Sequence, residues 1–324
     1  MALDKGYIQP DEILLTGPEA QVTEVAAAVG LPAEVQVVDA PDVLTSADSP
    51  TDALRKKRNN SIAVGIGLVK AGKAGGFVSA GSTGTVVAAA TVGLRYLEGI
   101  RKACIGALIE GENNPFLVLD VGANPQPKPQ HLAQFALMGS AYYQCQFGVE
   151  QPRVGVLNIG SEDKKGSPLV LEARRIMQEM PIAFAGNVEG DEMFSGDTHV
   201  VVTDGFSGNV LLKTSEGVAE YLLRTTFKEM AKAGVAPEQM QAVQRAVMPR
   251  VDFSEYGGAL LLGVEGVVTI CHGRSRAPAF ANALRFANRA LEGKVNEHIV
   301  EAAATMAAEG GQADGDQDAD GQPS

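Results

Sequence analysis

Two short stretches, Gly81-Ser82-Thr83-Gly84 and Gly205-Phe206-Ser207-Gly208-Asn209, each stand between an apolar run and a helical pattern. Amides freed at a helix N-terminus, aided by the helix dipole, bind phosphate or carboxylate, and glycine lets the backbone approach such a ligand. Lys213 lies in the helix that the second stretch opens, and Lys165 directly precedes Gly166; both supply candidate positive charge. Asn124, Asn187 and Asn209 carry amides that can donate to a developing oxyanion. Asp204 is balanced between a helix cap and a functional group. His272 is the one histidine placed at a strand end, with a structural role as plausible as proton transfer. The catalytic candidates are therefore Lys213, Asn209, His272 and Lys165. Those for substrate binding are Gly81, Ser82, Thr83, Gly84, Asn124, Asn187, Asp204, Gly205, Ser207 and Gly208. The chemistry they suit is that of an anion and an oxyanion at one rim.

Other chemistries lose support. The chain has no G-x-x-x-x-G-K-[ST], no G-x-S-x-G, no H-E-x-x-H and no complete G-x-G-x-x-G after a strand. His131, His199, His272 and His298 are too scattered for a metal site, and neither metal nor cofactor is expected. Cys104, Cys145 and Cys271 lack C-x-x-C spacing and read as small buried hydrophobes in a reducing cytosol. Net charge of −12, with no Trp, argues against a nucleic-acid partner. No apolar stretch is long enough to span a bilayer, and no secretion signal opens the chain.

The elements that would hold these residues follow from the apolar pattern. Short unbroken runs such as Phe77-Val78, Val118-Leu119, Val156-Leu157, Val200-Val201-Val202 and Val267-Val268-Thr269-Ile270 read as strands buried on both faces. Each leads into small or polar residues, and ligands of parallel sheets sit beyond the carboxyl ends of strands. Helical patterns alternate with them: 84–97, 130–146, 167–179, 208–230 and 277–292, after helices at 19–29 and 49–70. The expectation is an α/β protein with a doubly wound, mostly parallel sheet and helices on both faces, residues 1–307 forming one domain. Apolar positions over 221–251, broken at Gly234 and Pro237, predict a projecting helical hairpin. Residues 308–324, acidic and without apolar period, are expected to be disordered.

Lys56-Lys57-Arg58-Asn59-Asn60-Ser61, Phe77 to Gly84, Leu119-Asp120-Val121-Gly122-Ala123-Asn124-Pro125, Asn158-Ile159-Gly160, Lys165-Gly166, Gly186-Asn187-Val188-Glu189-Gly190, Asp204 to Thr214, Asp252 to Ala259, and His272-Gly273 follow one another along the chain. In these stretches the chain resembles the PlsX family of bacterial phosphate acyltransferases. Three departures stand out. The family's opening strand ending in Asp-Ala-Met-Gly-Gly-Asp has no counterpart near Met1, Ser82 replaces the usual Asn, and Ser167-Pro168 replaces Asn-Glu.

The resemblance implies an isopropylmalate dehydrogenase/phosphotransacetylase-like sheet and transfer of an acyl group from acyl carrier protein to inorganic phosphate. The acyl phosphate product would feed phospholipid synthesis, with a glycerol-3-phosphate acyltransferase downstream. It further implies a cytoplasmic homodimer in peripheral contact with the membrane through the 221–251 hairpin. Lys56, Lys57 and Arg58 are then candidates for docking the carrier protein. Two alternatives stay open: a phosphate:coenzyme A acyltransferase or nicotinamide-linked enzyme on a similar sheet, and an inactive scaffold that binds carrier protein and membrane.

Overall fold

The computed structural model describes residues 1–45, 47–195, 197–251 and 256–315. Its centre is an eight-stranded sheet in the order β3-β10-β9-β4-β5-β8-β6-β7. These strands are β3 (Gly76–Ser79), β4 (Cys104–Ile109), β5 (Phe116–Leu119), β6 (Arg153–Leu157), β7 (Ala183–Val188), β8 (Val200–Val202), β9 (Ala259–Leu262) and β10 (Val267–Ile270). β4, β5 and β8 are buried along their whole length, as unbroken apolar runs require when both faces are covered. A separate parallel pair, β1 (Leu14–Gly17) and β2 (Gln36–Asp39), flanks α1 (Glu19–Ala28).

Helices cover both faces. On one lie α5 (Pro129–Phe147), α6 (Pro168–Gln178), α9 (Ala277–Glu292) and α10 (Val295–Gly315), joined through Leu132, Phe135, Tyr142, Met177, Phe286 and Ile299. On the other, α3 (Ser61–Lys70) and α4 (Thr83–Leu94) pack Ile62, Ile66, Val86, Ala90 and Leu94 against Ile105, Val118, Leu261 and Val268. The hairpin is α7 (Gly205–Lys232) and α8 (Pro237–Val251), turned at Gly234 with φ +76. Among the described residues no helix is long and apolar enough to cross a membrane.

The expected α/β sheet, mostly parallel with helices on both faces, is present, but the expectation of one shared rim of strand ends does not hold. Parallel pairing holds for β3·β10, β5·β8, β8·β6 and β6·β7, but β10·β9, β9·β4 and β4·β5 are antiparallel. β3 and β10 therefore end at one edge, whereas β5, β8, β6 and β7 end at the other. A single rim of strand ends does not exist. Strand β9 carries no helix before β10, which is why a βα rhythm could not reveal it.

Two helix boundaries also differ. The expected 49–70 helix is two, α2 (Pro50–Arg55) and α3, because Asn60 is buried between them as a cap. Its Oδ1 accepts from Ile62 N and Ala63 N at 3.0 Å each, and its Nδ2 donates to Lys57 O at 2.6 Å. At the C-terminus α10 runs to Gly315, past the expected boundary at 308, and the rest of the predicted tail, 316–324, lies outside the described residues.

His199, at the start of β8, is half-buried; its Nδ1 accepts from Arg153 N at 2.9 Å. Burial first, and then the charge of Arg153, hold its pKa below the usual 6.5. The unfolded chain thus binds a proton that the folded chain resists, so stability should fall as pH drops below about 6.5. Thermal unfolding between about pH 7.5 and 5.5 should show a falling Tm, and His199→Gln, which keeps an acceptor but cannot charge, should flatten that slope.

Candidate active site

Where β5 ends, Asp120 is fully buried and its carboxylate is surrounded by donors. Oδ1 accepts from Ile105 N at 3.0 Å, Ala123 N at 3.0 Å and Gly122 N at 3.2 Å. Oδ2 accepts from Asn124 N at 2.7 Å and Asn124 Nδ2 at 2.8 Å. The second Nδ2 proton goes to Ala103 O at 2.8 Å, so Asn124 is spent on structure and has no donor left for an oxyanion. Burial, with the Asp120 charge beside it, raises the Cys104 thiol well above its ordinary range, which makes it inert.

Helix α7 docks on this loop through its glycines. Gly205 N donates to Asn124 O at 2.8 Å, and a Cβ on Gly205 would lie 2.8 Å from the Asn124 backbone. A Cβ on Gly208 would fall 1.9 Å from Asp120 O. Asp204 caps the helix, its Oδ1 accepting from Phe206 N at 3.0 Å and Ser207 N at 2.9 Å, its Oδ2 from Ser207 Oγ at 2.7 Å. Gly208 N donates to Asp204 O at 2.9 Å. Every first-turn amide of α7 is thus already satisfied. The expectation of free N–H groups at 205–208 is corrected: Asp204, Gly205, Ser207 and Gly208 shape the wall and leave no amide for an anion.

The opposite holds for α4 and α9. Ser82 offers α4 only its backbone carbonyl, which accepts from Val86 N at 3.0 Å, and its side chain caps nothing. The first-turn amides of α4 therefore have no intrahelical partner. Arg276 likewise gives α9 no side-chain cap. Both helix starts border one cavity of about 1320 Å³ lying over the face of β4, with Ile105 and Ala107 on its floor. Its polar lining comprises Thr83, His272, Arg274, Ser275 and Arg276 beside the ends of β3 and β10, with Asn209, Lys213, Glu216 and Glu220 from α7. Val87, Leu212, Leu223, Met248 and Val251 on α4, α7 and α8 supply apolar wall.

Two loops at opposite sheet edges thus meet across the sheet's face instead of along one rim. Lys213 Nζ pairs with Glu216 at 2.8 Å on the cavity wall. His272 Nδ1 accepts from Arg274 N at 3.2 Å, which leaves Nε2 as the donor of the neutral ring. Cys271, also on the wall, donates to Gly257 O at 3.0 Å, and burial pushes its thiol up to about 11.

The other candidates lie elsewhere. Gly81 and Ser82 border a smaller cavity of about 580 Å³ with Asp42, Asp48 and Ser61. Lys165 and Asn187 belong to the ends of β6 and β7: Asn158 Nδ2 donates to Lys165 O at 2.9 Å, and Asn187 Nδ2 to Glu162 O at 2.8 Å. Neither lines the large cavity. Sequence reasoning missed Arg274 and Arg276, although Cys271-His272-Gly273-Arg274-Ser275-Arg276 between a strand and a helix was a readable signal.

The fatty acid synthesis protein family model matches residues 5–298. A phosphate acyltransferase of Heliobacterium modesticaldum is 42% identical over 309 residues, covering 91% of this chain and 92% of that one. One of Clostridium acetobutylicum is 38% identical over 291 residues, covering 89% and 88%. The chain belongs to the phosphate acyltransferase family. It is an acyltransferase with phosphate as acceptor. The α/β fold is that of a phosphotransacetylase from Streptococcus pyogenes, with a TM-score of 0.55 at 18% identity over 90% of this chain and 98% of that one. The EutD phosphotransacetylase from Staphylococcus aureus gives 0.54 at 17% over 90% and 96%.

Two substitutions check the architecture. Asp120→Asn puts an amide donor among five N–H groups and should cost roughly 2–4 kcal/mol in urea unfolding. Gly208→Ala should cost about 3 kcal/mol through overlap with the Asp120 carbonyl and abolish phosphate-dependent turnover, whereas Gly217→Ala, with open space around it, should cost nothing measurable.

Proposed function

We propose that this acyltransferase takes its acyl group from a thioester on acyl carrier protein and that phosphate is bound between the starts of α4 and α9. The observation that carries the reading is that two helix N-termini without side-chain caps border one cavity that Arg274, Arg276, His272 and Lys213 also line. Uncapped amides, dipoles and guanidinium groups are the chemistry of a phosphate cradle. The apolar part of the wall, which includes Leu223, Met248 and Val251 of the hairpin, suits a fatty acyl chain.

In this reading a phosphate oxygen attacks the thioester carbonyl carbon, the C–S bond breaks, and the phosphate proton ends on the departing thiol. His272 Nε2 passes that proton, and Asn209, whose side chain faces the cavity, donates to the tetrahedral oxyanion. Lys213 and Arg276 balance the phosphate charge. No enzyme nucleophile is acylated, in keeping with a Cys271 thiol pushed up to about 11 by burial. Lys165 and Asn187 are assigned to holding the β6–β7 corner.

The chain acts as a homodimer in the cytoplasm, with the hairpin touching the membrane where a glycerol-3-phosphate acyltransferase consumes the product. Supporting the dimer is the unpartnered face of α7, with Phe206 67%, Val218 50% and Tyr221 57% exposed. The free state of Cys104, Cys145 and Cys271 agrees with a reducing compartment.

Phosphate-dependent loss of palmitoyl–acyl carrier protein thioester, with the product trapped by hydroxylamine, tests the reading. Arg276→Ala and Lys213→Ala should each lower kcat/KM for phosphate by about 100-fold with the fold intact. Wild-type rates in both variants, or thioester loss that ignores phosphate, would sink it.

A further inference from the structure

Four basic residues stand on two segments beside the end of β5, next to the border of the cavity. Arg101 and Lys102 lead into β4, while Lys128 and His131 begin α5. Two sets of hydrogen bonds fix their placement. Arg101 N donates to the buried Gln134 Oε1 at 2.9 Å and Gln134 Nε2 donates to Gly99 O at 2.8 Å, which pins the 99–101 loop onto α5. Lys128 N donates to His131 Nδ1 at 3.1 Å, which holds the ring at the helix start. Burial lowers the pKa of His131, and the next causes are Lys102, Lys128 and Arg101, as mutual proximity requires.

In a chain of net charge −12 such a cluster should find carboxylate partners, yet among the described residues none of the four forms an ion pair. The positive end of the 19-residue α5 adds to the field. The basic run expected to dock a partner behaves differently. Lys57 pairs with Asp48 at 2.7 Å, Lys56 with Asp52 at 2.7 Å, and Arg58 Nε donates to Arg55 O at 3.2 Å. The Lys57 ammonium and the Thr45 donors hold the Asp48 carboxyl down at about 2, so that pair persists across the working pH range.

The four-residue cluster also abuts the cavity through the chain itself. Pro125 lines the cavity three residues before Lys128, which places the two Cα atoms within about 11 Å. Ala103, next to Lys102, accepts from Asn124 Nδ2 at 2.8 Å, so both halves of the patch frame the 120–125 loop.

We propose that Arg101, Lys102, Lys128 and His131 form the docking surface for the acidic carrier domain that presents the acyl thioester to this cavity. The inference rests on the carrier-borne substrate proposed above. A carrier seated here needs only a flexible arm to pass Pro125 and reach the phosphate cradle. Exposed charge of this kind sets encounter rate and salt dependence more than chemistry.

The experiment measures the Kd of palmitoyl–acyl carrier protein by fluorescence anisotropy for the wild type and for Lys102→Glu/Lys128→Glu, with turnover of the same substrate and of carrier-free palmitoyl-pantetheine. The double variant should bind the carrier at least about tenfold more weakly and raise its KM in proportion, with kcat unchanged and palmitoyl-pantetheine turnover unchanged. Lys102→Gln/Lys128→Gln should give an intermediate loss, and Lys56→Glu/Arg58→Glu none; matched Tm values establish that every variant is folded. An unaltered carrier Kd in the double variant overturns the proposal, as does equal loss in the Lys56/Arg58 pair. Loss of binding to phosphatidylglycerol vesicles with carrier Kd intact would assign the patch to the membrane instead. Failure of wild-type protein to turn over palmitoyl-pantetheine with phosphate would count against the chemistry alone, because carrier Kd reads docking directly.

Discussion

A carboxylate removed from water must be met by donors on nearly every lone pair, and Asp120 imposes that demand at the middle of the molecule. Its five N–H partners come from β4 and from the 122–124 loop, so satisfying one charge curls that loop and fixes it to the neighbouring strand. Asn124 continues the network to Ala103, and its carbonyl receives Gly205 at the start of α7. The position of α7, and with it Asn209 and Lys213, follows from this one buried group. The glycines at 205 and 208 are the condition for so close an approach.

The second organising fact is that the sheet changes direction at β4 and β9. A wholly parallel sheet would have placed its ligand along one edge; here, with antiparallel strands at the centre of the sheet, the large cavity lies over its face between α4 and α7. The three helix starts nearby are not equivalent. Asp204 and Asn124 consume the amides of α7, while those of α4 and α9 lack side-chain caps. Arg274 and Arg276 line the same cavity as the starts of α4 and α9, to which α7 contributes side chains rather than free amides. The cavity wall is mixed, with basic groups from the 272–276 loop and apolar side chains from α4, α7 and α8.

Much of this was legible in the amino-acid pattern. The runs at Val118, Val156 and Val200 marked buried strands because residues buried on two faces do not alternate. Breaks at Gly234 and Pro237 gave the hairpin, and glycine-rich turns flagged Thr83, Gly84, Gly205, Asn209 and His272, all of which line the large cavity. Less legible were the groups that act through distant partners. Nothing in the spacing said that Asn124 spends both amide protons on Asp120 and Ala103, that Lys165 and Asn187 stand at a separate corner, or that Arg101 and Lys128 converge. Local pattern records which residues are apolar, flexible or charged; it does not record whom they meet.

By itself the sequence determined the kinds of element, the two-face burial of the central strands and the family to which the chain belongs, because these depend on periodicity and motif order. Only the tertiary structure decided the sense of β9, the location of the cavity on the sheet's face, and which helix amides remain available. Strand direction and hydrogen-bond satisfaction are settled by partners far apart in the chain, and no local window contains both halves of such a pair.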